Sequence, residues 1–241
     1  MKDYIFNNTI FVTYTNLGYV KYSINLWKSI KKAGIPWKLL IMATDEESIA
    51  ELAKHEIPAI LYTENEESIK KDFIAYTDKS FNAITFVKLD ILSYILETMQ
   101  SNITHLVYLD SDIVVTQDFT SILDWYRSHD IVFQCDENNY EVCTGKCCTN
   151  LCTGFMMIKN NTKIQKLLEY NNPEKYIHDQ HYMNIKLRSC KIDHNTFARN
   201  ICPNGYLRGY INKPYFLFHY NYLIGAKKEE AMKQDGMWLV D

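Results

Sequence analysis

Two carboxylates one residue apart, Asp110 and Asp112 in "HLVYLDSDIVVTQD", stand where an apolar run ends. On an extended strand, residues two apart share a side, so both can turn into a crevice at the strand's end. Two carboxylates aimed at one point repel unless a cation lies between them, and hard oxygen donors suit Mg2+ or Mn2+ holding a diphosphate. An acidic turn that simply closes the strand is the plainer account of Asp110, Ser111 and Asp112.

A nucleophilic role is a further alternative. "DSDIV" fits the aspartate-x-aspartate signature of haloacid-dehalogenase-type phosphatases, whose first Asp attacks phosphorus. That chemistry needs the motif on the first strand and a further acidic pair downstream. Here three strand-like runs precede the motif, so it does not lie on the first strand.

The elements that must position these residues are legible from periodicity. "IFVTYT" reads as a buried strand and "VKYSINLWKSIKKAG" as a helix, with Val20, Ile24, Trp27 and Ile30 at helical spacing and Gly34 and Pro36 ending it. "WKLLIMAT" is a second strand, Thr44 and Glu47 form a capping box opening a helix over "DEESIAELAKHE", and "IPAILY" is a third strand. A long helix over "AITFVKLDILSYILETM" leads into the strand "HLVYLD". Strands alternating with helices predict an α/β fold, a mostly parallel central sheet covered on both faces that binds ligands at the carboxyl ends of its strands. The second half is less regular, with strand candidates at "DIVFQC", "GFMMIK" and "YFLFHY", helices at "NTKIQKLLEYN" and "HDQHYMNIKL", and a loop at "CPNGYLRGY".

Composition narrows the function classes. A chain of 241 residues that is 47% hydrophobic can bury a core as one domain. A net charge of -3 with scattered basic residues argues against nucleic acid as a partner. The N-terminal stretch has no signal-peptide pattern and no run is long enough for a membrane span, so a cytoplasmic location is expected. Seven cysteines, five of them at 135, 143, 147, 148 and 152, are expected to be mostly thiols packed in a loop. "CTGKCCTNLC" has spacings that fit no common zinc knuckle.

"VYLDSDIVV" resembles the DxD strand of GT-A-fold glycosyltransferases, above all the glycogenin-like enzymes and related nucleotide-diphospho-sugar transferases. Further motifs follow the same order across nearly the whole chain. "FHYNYLIGAKK" resembles their His-x-Asn followed by Gly and Lys, which implies His219 as third metal ligand beside Asp110 and Asp112, and Asn221, Gly225 and Lys228 at the donor diphosphate. "HDQHYMN" resembles the helix whose Asp and Gln face the reacting sugar, here Asp179 and Gln180, with Asn184 one turn on. Lys88 matches a basic residue that reaches the diphosphate. "FVTYTNLGY" resembles the loop holding base and ribose, pointing to Thr13, Tyr14, Thr15 and Asn16, and Asp136 matches an Asp that hydrogen-bonds the donor sugar.

The chain departs from the glycogenin-like pattern at "CTGF", where Cys152 stands for a sugar-contacting Asn, and at "KKEEAMKQDGMW" in place of Lys-Pro-Trp. The resemblance implies one GT-A domain: residues 1–115 for the nucleotide sugar, 116–241 for the acceptor and the metal-binding His. It implies a Mn2+- or Mg2+-dependent transfer from a UDP-sugar to a glycan or other hydroxyl, with retention. An inverting outcome would follow if Asp136 or Asp179 deprotonated the acceptor. The segment 137–152 is the expected acceptor loop. A catalytically silent sugar-nucleotide binder is the alternative from another class.

Overall fold

The structure is a computed structural model that describes residues 1–63, 81–137, 148–211 and 214–240. In chain order, the first half holds β1 (Ile5–Phe6), β2 (Thr9–Thr15), α1 (Val20–Lys32), β3 (Leu39–Ala43), α2 (Glu46–Lys54), β4 (Ile60–Leu61), α3 (Phe81–Thr98) and β5 (His105–Leu109). The second holds β6 (Ile113–Val115), α4 (Thr120–Leu123), β7 (Ile131–Cys135), β8 (Leu151–Lys159), α5 (Thr162–Leu168), α6 (Asp179–Ser189), β9 (His194–Thr196), β10 (Leu217–His219) and α7 (Ala226–Gln234).

The main sheet runs β4-β3-β2-β5-β8-β7-β9, with β1 antiparallel to β2. β2 pairs in parallel with β3 and β5, β3 with β4 and β7 with β9, whereas β8 is antiparallel to both neighbours. This is the mostly parallel α/β sheet that the alternation of elements predicts. β2 shows why. Ile10 and Val12 enter one core with α3, α5 and α6, and Phe11 enters the other with α1. Both faces are apolar because both are covered. In α3, Leu89, Leu92, Ile95 and Leu96 are fully buried, each worth about 1.5 to 3 kcal/mol of transfer free energy. That packing makes α3 a rigid carrier for Lys88.

β6 and β10, neither visible in the periodicity as a pair, form a separate antiparallel ladder in which His219 faces Ile113. Tyr220 N–H donates to the Asp112 carbonyl at 3.1 Å, which fastens the two motifs together.

Three local expectations change. Asp45 caps α2, its Oδ1 accepting from Ser48 N–H at 2.7 Å, while the Thr44 hydroxyl donates to the Thr15 carbonyl at 3.2 Å. A carboxylate beside the helix start outcompetes the hydroxyl. The third strand shrinks to Ile60–Leu61. Cys135 and Cys148 form a disulfide rather than a pair of thiols, because antiparallel β7 and β8 bring their Cα atoms to 5.8 Å. Cys152, Cys190 and Cys202 are free thiols, and Cys143 and Cys147 lie outside the described residues.

Candidate active site

β2 and β5 run in parallel, so their carboxyl ends open at one edge of the sheet. A cavity of about 900 Å3 lies there, lined by residues of β2, α3, β5, β8, α6 and the segment after β10.

Asp110 follows β5 directly, and Asp112 precedes β6. With His219, at the end of β10, each offers one ligand atom, and the three atoms lie within 4.8 Å of one another. His219 Nε2 is 3.1 Å from Asp112 Oδ1 and 3.7 Å from Asp110 Oδ2. Two carboxylates and an imidazole nitrogen are a donor set that fits a borderline-hard divalent ion. Gly154 makes the approach possible: a Cβ there would fall on His219 Cε1 and come within 2.6 Å of Asp110 Oδ2.

Two ammonium groups border this cluster. Lys88 Nζ lies 3.2 Å from Asp110 Oδ1 and 3.0 Å from Asp179 Oδ2, almost fully buried. Burial alone would lower its pKa, but the carboxylates of Asp110 and Asp179 outweigh that and hold the ammonium well above its ordinary value. Lys228 Nζ is ion-paired with Asp112 Oδ2. Burial would raise the Asp112 pKa, but Lys228 and His219 reverse the effect and keep the carboxyl well below the usual range. Gly225, at φ +58, turns the chain into α7 and so sets Lys228 on its first turn.

Asp136 is the centre of a second polar knot. Its Oδ1 accepts from Asn221 Nδ2 at 2.9 Å and Asn204 Nδ2 at 3.2 Å, and its Oδ2 accepts from Gln180 Nε2 at 3.1 Å. Asn221 Oδ1 accepts from the Gly205 amide at 2.7 Å, where a Cβ would overlap the Asn221 carbonyl. Asn184 is occupied elsewhere, exchanging hydrogen bonds of 3.0 and 2.8 Å with the Leu151 backbone, so it anchors α6 to β8. Asp179 opens α6, where the helix dipole favours a carboxylate. The Cys152 thiol is pushed up by burial and then by Asp136, so it stays neutral on the cavity wall.

Of the nucleotide-side candidates, Tyr14, Thr15, Asn16 and Ser111 line the cavity, and Tyr14 donates to the Ile84 carbonyl at 3.0 Å. Thr13 is fully buried in β2 and is not among the lining residues, since its side chain leaves the opposite face of the strand from Tyr14. Most of the expected acceptor loop lies outside the described residues; within 148–152, Thr149, Asn150 and Cys152 line the cavity.

Sequence reasoning passed over several contributors. Tyr108 donates to Asp110 Oδ1 at 2.7 Å, Asn204 supports Asp136, and Gln134 lies 2.6 Å from His219 Nδ1. The available signals were a lone amide in "DIVFQC" and a lone glycine in a strand, which marks close backbone approach.

An open α/β sheet with an Asp-Asp-His cluster at its carboxyl edge has the GT-A architecture of sugar transferases. The structure is similar to that of the galactosyltransferase LgtC, solved with donor and acceptor sugar analogues, with a TM-score of 0.59 and 14% identity over 94% of this chain and 95% of that one. It is also similar to mouse xyloside xylosyltransferase 1, with a TM-score of 0.55 and 9% identity over 88% and 96% of the two chains. The glycosyltransferase GlyE of Streptococcus pneumoniae TIGR4 has a TM-score of 0.55 and 17% identity, and covers 96% of this chain and 60% of its own. These are likenesses of fold. No curated protein sequence matches the chain. A sequence model of the nucleotide-diphospho-sugar transferases matches residues 37–239, and the chain belongs to that family of glycosyltransferases. No helix among the described residues is long and apolar enough to cross a membrane.

Proposed function

We propose that the protein transfers a sugar from a UDP-linked donor to a hydroxyl acceptor, in a divalent-metal-dependent reaction that retains anomeric configuration. The observation that carries the reading is the convergence of Asp110, Asp112 and His219, flanked by Lys88 and Lys228, at the carboxyl edge of β2 and β5. Mn2+ or Mg2+ held by those three side chains would supply positive charge to the donor diphosphate. Tyr14, Thr15 and Asn16, at the end of β2, are suited to the nucleoside, in line with a donor half over residues 1–115 and an acceptor half, with His219, over the rest.

The chain's own groups account for the remaining work. Lys228, on the helix α7 that follows Gly225, is placed to balance the charge that develops on the departing diphosphate, and Ser111, Asn221 and Gly225 border the same space. Lys88 holds the carboxylates of Asp110 and Asp179 in place. Asp136 and Gln180 form one hydrogen-bonded unit beside Cys152, suited to orienting the sugar. Retention is supported by the state of the carboxylates: among the described residues, the four that line the cavity are engaged, Asp110 and Asp179 by Lys88, Asp112 by Lys228 and Asp136 by side-chain amides, so none of these four is a free base for the acceptor.

A panel of UDP-sugars with Mn2+ tests the reading. UDP release that needs the metal and is lost in Asp112→Ala supports it, with product anomers read by NMR. Tight UDP binding with neither transfer nor hydrolysis across the panel would identify a sugar-nucleotide binder instead.

A further inference from the structure

Gln134 is fully buried near the end of β7, the one amide in a run of apolar residues. The β7–β8 ladder shifts register between Phe133 and Gln134, pairing Gln134 with Cys152 and leaving Thr153, Gly154 and Phe155 as extra length on β8. Two contacts then determine which way its amide points. Nε2 donates to the Cys202 carbonyl at 3.0 Å, and Oε1 lies 2.6 Å from His219 Nδ1. A backbone carbonyl only accepts, so the NH2 must face Cys202 and the oxygen must face the imidazole. That oxygen also only accepts. Nδ1 must therefore carry a proton, because two acceptors opposed at 2.6 Å between buried side chains would repel.

We propose that Gln134 is a positioning residue that holds the proton on His219 Nδ1, so that Nε2 is the nitrogen that gives up its proton and turns a lone pair toward Asp110 and Asp112. The assignment rests on the reading of that cluster as a cation site. Without Gln134 the preference reverses. Among the described residues, Nδ1 would keep only the weak Cys152 sulfur contact at 3.9 Å, whereas an Nε2–H would gain the Asp112 carboxylate at 3.1 Å. A hydrogen bond to a charged acceptor is the stronger of the two, so the proton would settle on the wrong nitrogen and face the cation. Outer partners that set a ligand's tautomer typically change metal affinity 10- to 100-fold when removed.

The experiment pairs Mn2+ titration of the nucleotide-free protein with 15N NMR of the His219 ring in Mg2+ at alkaline pH. In the wild type, Nδ1 is expected protonated and Nε2 bare. Gln134→Met, close in shape but without the amide, should weaken Mn2+ about 10- to 100-fold and move the proton to Nε2. Gln134→Glu, whose carboxyl oxygen can still accept from the imidazole, should return the proton to Nδ1 and recover Mn2+ binding. A wild-type ring protonated on Nε2 alone overturns the proposal even if Gln134→Met does not fold, and so does unchanged Mn2+ affinity in a folded Gln134→Met. Wild-type protein with Nδ1 protonated but no Mn2+ binding would overturn the cation reading and leave the proton assignment standing.

Discussion

Lys88 and Asp179 meet at 3.0 Å in the wall of the cavity, both almost fully buried. One comes from the packed helix α3 and the other from the first residue of α6, so the ion pair joins the two halves of the chain at the candidate site. Asp110, 3.2 Å from the same ammonium, ties the metal-ligand candidates into that bond.

Replacing Lys88 by Met should therefore act on stability as well as on turnover. Asp179 would be left buried without its cation, a change worth about 3 to 5 kcal/mol in comparable buried pairs, and the partly exposed Asp110 would lose a partner. Urea unfolding of Lys88→Met against wild type measures it. A loss below about 1 kcal/mol would mean that solvent reaches the pair more freely than its burial indicates.

Gly154→Ala should separate site geometry from folding. The new methyl meets His219 Cε1 and Asp110 Oδ2, both ends of the cluster, so at least one of them must shift. We expect turnover to fall about a hundredfold or more, the scale for losing a well-placed electrostatic group, while UDP binding without metal changes little. Steady-state rates and UDP calorimetry on one preparation check both halves.

Asp136→Asn tests the second knot. The amide of the new residue cannot accept from Asn204, Asn221 and Gln180 together, so at least one buried donor is left unpaired, at about 1 to 3 kcal/mol. Thermal unfolding should show that loss. Transfer should slow more than UDP affinity weakens if the knot orients the donor sugar as proposed.

His105, away from the cavity, carries the pH prediction. Burial and then the neighbouring Arg127 lower its pKa to about 4 from an ordinary 6.5. The ring is neutral in the folded protein and takes a proton on unfolding at any pH between those values. Its contribution is thus fully present above about pH 6.5 and lost as the pH falls toward 4, by at most about 3 kcal/mol. Urea midpoints at pH 7 and pH 5 should converge in His105→Asn by the amount this group contributes. An equal drop in variant and wild type would sink the assignment.

How much of this could be read from the chain alone follows from the range of each interaction. Alternating apolar segments dictate a covered parallel sheet, because backbone hydrogen bonding and burial act on every strand in the same way. The elements β2, α1, β3, α3 and β5 were visible for that reason, and so were Asp110 and Asp112, although they flank the turn between β5 and β6 and do not share one extended strand. The ladder of β6 with β10 was not, because its two three-residue strands are about a hundred residues apart and neither has a period of its own. The disulfide between Cys135 and Cys148 likewise depended on the antiparallel pairing of β7 with β8.

Sequence by itself determined the residue types of the site and the edge of the sheet at which they gather. Only the tertiary structure decided their partners: that Lys88 bridges Asp110 and Asp179, that Gln180 supports Asp136, that Thr13 points away from the cavity, and that a buried glutamine faces His219. Hydrogen bonds and ion pairs act over about 3 to 4 Å, a distance that no spacing in the chain encodes.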